Sequence, residues 1–209
     1  METLIIYGCG GHARSVASVV KSTWNIIFVD PGARKGEKIF GFDVLPDWRS
    51  ISNLENCFFH VAIGDGEKRK KVFEMLKSRK FRLPVLCASS AIIGSESIVG
   101  EGSFIAEGVY IGPRVSIGMN NIINTRALIE HDAMVLDHTH ISINTAIAGY
   151  SRVGSAVMLG ASSTVIDHIS ICDNVTIGAG AVVCHDITAA GIYAGVPAVK
   201  IKDISHEKI

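Results

Sequence analysis

One short stretch, residues 124–142, holds most of the side chains that could do chemistry. It reads NTRALIEHDAMVLDHTHIS and contains three histidines and three acidic residues. A histidine with an ordinary pKa near 6.5 can accept a proton at neutral pH, and a carboxylate on its second ring nitrogen fixes the tautomer and raises its basicity. Because His131 stands between Glu130 and Asp132, the sequence predicts a general base supported by one of these acids. The alternative is a set of polar residues on surface turns.

The architecture around this stretch is a repeat of six residues. A hexapeptide period is typical of a solenoid of short parallel strands, in which three hexads complete one triangular coil and residues eighteen positions apart stack. We expect the aliphatic residue of each hexad to point inward and the glycine that often follows it to ease the turn. The aliphatic residue recurs sixteen times without interruption, at Ile93, Val99, Ile105, Ile111, Ile117, Ile123, Ile129, Val135, Ile141, Ile147, Val153, Leu159, Val165, Ile171, Ile177 and Val183.

Residues 1–82 follow a different pattern, in which strands alternate with helices. TLIIYG, NIIFVD and NCFFHVAIGDG are strand-like runs, and HARSVASVVKS and EKRKKVFEMLKS separate or follow them. This β-α-β order predicts a small Rossmann-like parallel sheet. We therefore expect two domains, an α/β domain at 1–82 and an all-β coil at 83–209 that ends in a short tail.

The glycine-rich segment GCGGHA, residues 8–13, lies where the first strand gives way to the first helix. It matches the relaxed dinucleotide fingerprint G-x-G-x-x-A, and Asp30 ends the second strand, where a ribose-binding acid would lie. Backbone N–H groups at a helix N-terminus bind anions. Because this domain is too small for the two halves that grip a dinucleotide, a nucleoside diphosphate fits better than NAD. A tight turn without a ligand is the alternative.

The composition argues against several other classes of protein. Twenty basic and twenty acidic residues cancel, so we expect neither nucleic acid nor an anionic membrane as a partner. No stretch approaches the roughly 20 apolar residues of a membrane span. The five cysteines are odd in number and lack CxxC spacing, which predicts a cytoplasmic protein without disulfides or a metal site.

Four segments together resemble one family. They are YGCGGHARSV, IGDGEKRKKV, NTRALIEHD and GIYAGVPAVKI, and they are similar to segments of the bacterial sialic-acid O-acetyltransferases and nucleotide-aminosugar N-acetyltransferases. The resemblance implies a left-handed parallel β-helix and a homotrimer with active sites between subunits. It also implies acetyl-CoA as co-substrate in the groove between neighbouring helices, and a nucleotide-linked aminosugar held by the first domain.

In the first domain, the resemblance implies a binding site for the acceptor. Its members would be Gly10, Gly11 and His12 at the diphosphate and Asp30 at the nucleoside. Asp65 and Arg69 follow the third strand and are secondary candidates. Ordinary capping of the second helix is the alternative role for Asp65.

On the coil, the resemblance implies the catalytic residues. EHD matches the family's catalytic segment, whose pattern favours the acid after the histidine, Asp132, although glutamate is the common residue there. Asn124 would orient the acceptor amine, or is simply an asparagine at a turn. His140 would donate to the developing oxyanion of the thioester, whereas His138 is expected at the surface without a role. Backbone contacts to acetyl-CoA are implied at Gly149, Ala161 and Ala179.

The predicted function is acetyl-CoA-dependent N-acetylation of a nucleotide-linked amino-dideoxy sugar, such as a 4-amino-4,6-dideoxyhexose, for bacterial surface polysaccharide or glycan synthesis. The amine would attack the thioester directly while His131 takes its proton. Sialic-acid O-acetylation is the alternative within the same family. A non-catalytic hexapeptide scaffold and a regulatory nucleotide sensor are the alternatives from other classes.

Overall fold

The computed structural model describes residues 1–203, and the chain begins with a five-stranded sheet. Its strands are β1 Thr3–Tyr7, β2 Asn25–Val29, β3 Lys38–Ile39, β4 Phe42–Leu45 and β5 Phe58–Val61. They lie in the order β3-β4-β2-β1-β5. Strand β1 pairs in parallel with β2 and β5, β2 pairs in parallel with β4, and the short edge strand β3 is antiparallel. The predicted Rossmann-like parallel sheet is confirmed.

Two helices explain why the central strands are apolar on both faces. Helix α1 spans Gly11–Val20 and helix α2 spans Gly66–Ser78, with short 3-10 turns at Trp48–Ser50 and Leu54–Asn56. Leu4 and Ile6 pack on the side of α1, whereas Ile5 packs on the side of α2, as expected for strands of a covered parallel sheet. No helix within residues 1–203 is long and apolar enough to cross a membrane.

The rest of the described chain is a parallel β-helix closed by a hairpin. Each strand pairs with the strand three places later, so that Ile111 lies beside Ile129 and residues eighteen positions apart stack. The predicted coil is therefore confirmed. Its strands are β6 Leu86–Cys87, β7 Ile92–Ile93, β8 Ile98–Val99, β9 Phe104–Ile105, β10 Tyr110–Ile111, β11 Ser116–Ile117, β12 Ile122–Ile123, β13 Leu128–Ile129, β14 Met134–Val135, β15 His140–Ile141, β16 Ala146–Ile147, β17 Arg152–Val153, β18 Met158–Leu159, β19 Thr164–Val165, β20 Ser170–Ile171, β21 Val175–Ile177, β22 Val182–Val183, β23 Gly191–Ala194 and β24 Val199–Lys202.

The coil has three faces, which we number by their first strands. The first face starts at β6 and contains β9, β12, β15, β18 and β21, followed by β23 and β24. The second face starts at β7 and the third at β8, and each continues with every third strand. From Ile105 to Val183 the predicted inward residues are buried. Ile93 is 43% exposed and Val99 is half-buried, because β7 and β8 begin their faces and no earlier strand of the coil lies beneath them.

Two sets of residues shape the turns of the coil, and the predicted role of one set is wrong. The glycines that follow the aliphatic residues do not relieve backbone strain. Instead they allow successive coils to touch, since a Cβ on Gly94 or Gly160 would lie 2.5 or 2.6 Å from backbone atoms of the next coil. The left-handed backbone of each turn falls two residues later, at every sixth position from Glu96 to Gly180.

Helix α2 docks on the corner between the third and first faces. Phe73 packs against Gly102, and the next two corner residues, Asn120 and His138, are 1% and 6% exposed. The predicted surface position of His138 is therefore wrong, because α2 covers this corner. His138 Nε2 lies 3.3 Å from the Glu74 carboxylate on α2. Strand β6 begins eight residues after α2 ends, and we retain the domain limits 1–82 and 83–209 as a proposal.

The docking of α2 predicts unequal effects for two glycine substitutions. Gly102 and Gly108 both have a positive φ, of 71° and 66°, so alanine should cost about 1–2 kcal/mol at either site. Only at Gly102 would the new Cβ also meet a Phe73 ring carbon at an impossible distance, which adds about 1–3 kcal/mol of overpacking. We expect Gly102→Ala to lower the free energy of unfolding clearly more than Gly108→Ala in denaturant titrations. Equal losses would contradict this docking.

Candidate active site

His131 lies on the corner between the second and third faces, directly after β13, and its side chain is half exposed. Its Nδ1 is 3.1 Å from Asp132 Oδ2. A carboxylate only accepts hydrogen bonds, so neutral His131 donates from Nδ1 and keeps a free lone pair on Nε2. Asp132 reaches the ring although it is shorter than glutamate. The Glu130 carboxylate makes no contact of this kind within residues 1–203, so the geometry favours Asp132 as the supporting acid.

Neighbours in adjacent coils hold this pair in place, and the sequence analysis missed two of them. Arg114 Nε lies 3.2 Å from Asp132 Oδ1, and the Tyr150 ring meets the His131 ring edge to face at a centroid distance of 5.3 Å. Both stand eighteen positions from Asp132, so the stacking of coils would have found them. Gly149, predicted to contact acetyl-CoA, lies beneath the His131 ring. A Cβ on it would be 2.7 Å from the ring.

His140 and Asn124 form a second group on the first face, opposite the corner that carries His131. Asn124 follows β12, and its Nδ2 lies 3.3 Å from His140 Nε2. The outward-pointing side chains of successive strands form a row on this face. In this row, Phe104 and Ile122 are each 1% exposed, because the first domain covers them. His140 is the next residue in that row and is the first to emerge at the edge of the domain.

A cavity of about 710 Å³ opens beside His140. It lies between the first turn of α2 and the first face of the coil. The cavity therefore lies between the first domain, where the acceptor is predicted to bind, and the face of the coil that carries predicted acetyl-CoA-binding residues. It is lined by Gly64, Gly66, Glu67, Arg69, Lys70, His138, His140, Ala156, Val157, Met158, Asn174 and Ala190.

Arg69 has a structural position that the sequence did not indicate. Its side chain lies on the buried stripe of α2 with Phe73 and is 1% exposed. The guanidinium donates to the carbonyls of Ile63 and Gly64 in the first domain and to those of Asn120 and His138 in the coil. These bonds connect the two domains, so Arg69 is placed to position the acceptor-binding loop, while direct contact with the acceptor remains a prediction.

The glycine loop and the start of α2 differ in how their N–H groups are used. Among residues 1–203, a Cβ on Gly10 or Gly11 would meet nothing within 4 Å, and no side chain caps α1. The α1 terminus is therefore open to an anion. Asp65, in contrast, caps α2 by accepting from Lys68 N, as the capping alternative expected. Asp30 accepts from Cys9 N and Gly32 N, so it supports the glycine loop.

Three histidines close to the junction of the domains are held neutral. Burial, followed by the influence of the cationic Arg69, lowers the pKa of His12 to about 4. Burial, followed by the influence of His12 and Arg69, lowers the pKa of His60 to about 3. His140 has a pKa lowered to about 3 by burial and then by Arg69 and His12. Protonating any of them in place would add a buried charge beside Arg69.

The predicted site residues thus form two groups that do not meet within one chain. His131, Asp132 and Gly149 share one corner. His140 lies on the opposite face, and Ala161 and Ala179 follow strands of that same face at its next corner. Within residues 1–203, no group of three or more histidine, cysteine, aspartate or glutamate residues could hold a metal ion.

The buried histidines predict how stability depends on pH. Unfolded histidine titrates near pH 6.5, whereas the folded pKa of His60 is about 3. Between these values the unfolded state binds more protons, so the free energy of unfolding falls as the pH falls. We expect the loss between pH 7.5 and pH 5 to be smaller in His60→Leu than in the wild type. His185→Gln, at an exposed residue, is the control. Parallel pH profiles for all three would contradict the prediction.

Comparisons with known proteins agree with this architecture. Residues 3–76 match the family described as the PglD N-terminal domain. The acetyltransferase domain of PglB from Neisseria gonorrhoeae is 28% identical, with a TM-score of 0.91 that covers 96% of this chain and 100% of that domain. It has also been solved in complex with acetyl coenzyme A. PerB from Caulobacter crescentus, solved with CoA and GDP-perosamine, is 30% identical, with a TM-score of 0.86 that covers 96% of this chain and 98% of PerB.

A shorter segment of the chain matches a different acyltransferase. The UDP-3-O-acylglucosamine N-acyltransferase of Bordetella avium is 36% identical over 69 residues, which are 33% of this chain. The match spans 19% of that protein, about a fifth of its length. The solved acetyltransferase domain of PglB and the solved PerB chain, in contrast, match over nearly their whole length and share both the first domain and the coil. The chain belongs to the hexapeptide-repeat acetyltransferase family of PglB and PerB.

Proposed function

We propose that the protein transfers an acetyl group from acetyl-CoA to the amino group of a nucleotide-linked amino-dideoxy sugar. The observation that carries the proposal is the hydrogen bond between His131 Nδ1 and Asp132, which leaves His131 Nε2 as a base at an accessible corner. The ligands named for PglB and PerB, acetyl coenzyme A and GDP-perosamine, support the same reaction class. We further propose a role in surface polysaccharide or glycan synthesis and a cytoplasmic location.

The reaction moves one proton from the acceptor amine to the departing thiolate and needs no covalent enzyme intermediate. The acceptor nitrogen attacks the acetyl carbonyl carbon, an N–C bond forms, and the C–S bond breaks to release the CoA thiolate. His131 Nε2 takes the proton of the attacking amine and returns it to the thiolate. Asp132 stabilises the imidazolium that forms in between, as the acid of a catalytic triad does. His140 lies on the coenzyme side, close to the thioester carbonyl.

We propose a nucleotide sugar as the acceptor because the first domain has a place for a diphosphate. The open N-terminus of α1 at Gly10 and Gly11 offers N–H groups to a diphosphate. His12, in the first turn of α1, is positioned beside that diphosphate. Arg69 holds the loop at Ile63 and Gly64 against the coil, so the sugar end of the acceptor points toward the cavity beside His140.

A complete site would require two copies of the chain, and we propose a homotrimer. His131 and His140 of one copy lie on opposite sides of the coil, so the base of one copy would serve the coenzyme side of its neighbour. Exposed apolar residues on the second face support an interface there, since Ile92 is 61% and Leu128 is 36% exposed. Closed rotational symmetry is the usual arrangement of homo-oligomers.

The first test is release of coenzyme A from acetyl-CoA with a panel of acceptors. The panel contains UDP-, dTDP- and GDP-linked 4-amino-4,6-dideoxyhexoses together with free and CMP-linked sialic acids, and products are identified by mass. We expect turnover of a nucleotide aminosugar. Turnover of sialic acids alone would replace the proposal with O-acetylation. Tight binding of a free nucleotide without turnover of any acceptor would favour the nucleotide sensor.

We expect His131→Ala to lower kcat by about 10²–10⁴-fold, the usual contribution of a general base. His185→Ala is the matched control, because His185 is an exposed histidine on the same corner, three coils further along the chain. Acetyl-CoA binding, measured by calorimetry, should be unchanged in both variants. Full activity of His131→Ala would remove this residue from the mechanism.

Gly149→Ala separates two roles for this glycine. If Gly149 seats the base, the new Cβ would displace the His131 ring and lower kcat by about 10²-fold without changing the KM for acetyl-CoA. A direct contact with the coenzyme would instead raise that KM and leave kcat largely intact. We expect the first outcome, because the Cβ would lie 2.7–2.9 Å from the ring atoms Cε1 and Nε2.

A further inference from the structure

The orientation of the Asn124 amide is fixed by its neighbour. The backbone N–H of Thr125 donates to Asn124 Oδ1 at 2.8 Å. A backbone N–H can only donate, so the atom that receives this bond must be the amide oxygen. The NH₂ group therefore occupies the other position, 3.3 Å from His140 Nε2.

This orientation determines where His140 carries its proton. The Asn124 NH₂ group donates to His140 Nε2, which must offer a lone pair. A neutral imidazole holds one proton, and in His140 that proton is on Nδ1. The pKa of His140, lowered to about 3 by burial and by Arg69, keeps the ring neutral at physiological pH. His140 is therefore a hydrogen-bond donor through Nδ1.

The Nδ1–H group of His140 faces accessible space. His140 Nδ1 makes no hydrogen bond within residues 1–203. The buried polar atoms that lack a partner in these residues do not include it, so Nδ1 is accessible. His140 lines the cavity of about 710 Å³ beside the first turn of α2. The cavity is thus where this donor can meet a ligand.

A second asparagine–histidine pair lacks such a fixed orientation. Asn120 Nδ2 lies 2.9 Å from His138 Nδ1, and His138 Nε2 lies 3.3 Å from the Glu74 carboxylate without a hydrogen bond between them. Within the described residues, Asn120 Oδ1 has no hydrogen-bond partner. Of the two amides, it is therefore Asn124 whose orientation a neighbour fixes.

We propose that Asn124 is a positioning residue that holds His140 in the Nδ1–H tautomer, so that this N–H donates to the acetyl carbonyl oxygen as negative charge develops on it. The inference rests on the proposed acetyl transfer and replaces the predicted contact between Asn124 and the acceptor amine. A neutral donor suits this role because it stabilises the oxyanion without losing a proton to it. Pre-oriented donors of this kind contribute about 10²–10³-fold in kcat.

The tautomer can be measured without any substrate. Protein labelled with ¹⁵N-histidine is studied by long-range ¹H–¹⁵N correlation, and the His140 signals are identified by their loss in His140→Gln. We expect protonated Nδ1 and bare Nε2 between about pH 6 and 8, where free histidine titrates. In Asn124→Asp the carboxylate would require a proton on Nε2, so the two nitrogens should exchange roles. An Nε2–H tautomer or an imidazolium in the wild type would overturn the inference.

Kinetics of three variants complete the test. If Asn124 acts through His140, kcat should fall about 10²–10³-fold in Asn124→Asp and less in Asn124→Ala, with the KM of the acceptor unchanged. If Asn124 instead binds the acceptor amine, Asn124→Asp should retain more activity than Asn124→Ala, and the KM of the acceptor should change. Asn144→Asp is the matched control, because the side chain of this exposed corner residue hydrogen-bonds only to Ser162 Oγ within the described chain.

The two experiments separate this inference from the proposed function. Acetyl transfer by a protein whose His140 is protonated on Nε2 would leave the function intact and reject the role of Asn124. If His140 carries its proton on Nδ1 but the protein transfers no acetyl group, the pairing of Asn124 with His140 would stand. The role of His140 at the thioester would then be rejected.

Discussion

The stacking of coils at a spacing of eighteen residues is the constraint on which the rest of the structure depends. Glycines without room for a Cβ bring successive coils into contact, and buried hydroxyls such as those of Ser103 and Thr139 donate to carbonyls of the next coil. The same spacing places Arg114, Asp132 and Tyr150 in one column and Asn120 beneath His138. The groups that surround His131 are therefore consequences of the stack.

The buried guanidinium of Arg69 links this stack to the first domain. Within the part of the chain that the structure describes, all of its hydrogen-bond acceptors are backbone carbonyls and none is a carboxylate. A buried cation in this position makes a second positive charge nearby costly. The neutrality of His12, His60 and His140 follows from the way the domains dock as well as from burial.

The periodic part of this protein could be predicted from its sequence, because an inward aliphatic residue at every sixth position has few structural explanations. The parallel sheet was predictable for a similar reason, since β1 and β5 are apolar runs beside helical patterns. The position of His138 was not predictable, because a corner residue is normally exposed and the repeat contains no sign that α2 covers this corner. The role of the turn glycines was also missed, since the crowding they relieve comes from the neighbouring coil. At the candidate site, the sequence pattern placed a carboxylate beside His131 at Asp132, and its role as the supporting acid stays a prediction. The pairing of Asn124 with His140, in contrast, depends on an amide orientation that only three-dimensional contacts reveal.

The offset of nine positions from His131 to His140 equals half a coil, so one chain carries its two candidate catalytic histidines on opposite sides. In the proposed trimer each copy would lend a base to one neighbour and a coenzyme side to the other. Two inactive variants, one lacking His131 and one lacking His140, would then complement each other when mixed. Activity would return wherever an intact His131 from one variant meets an intact His140 from the other.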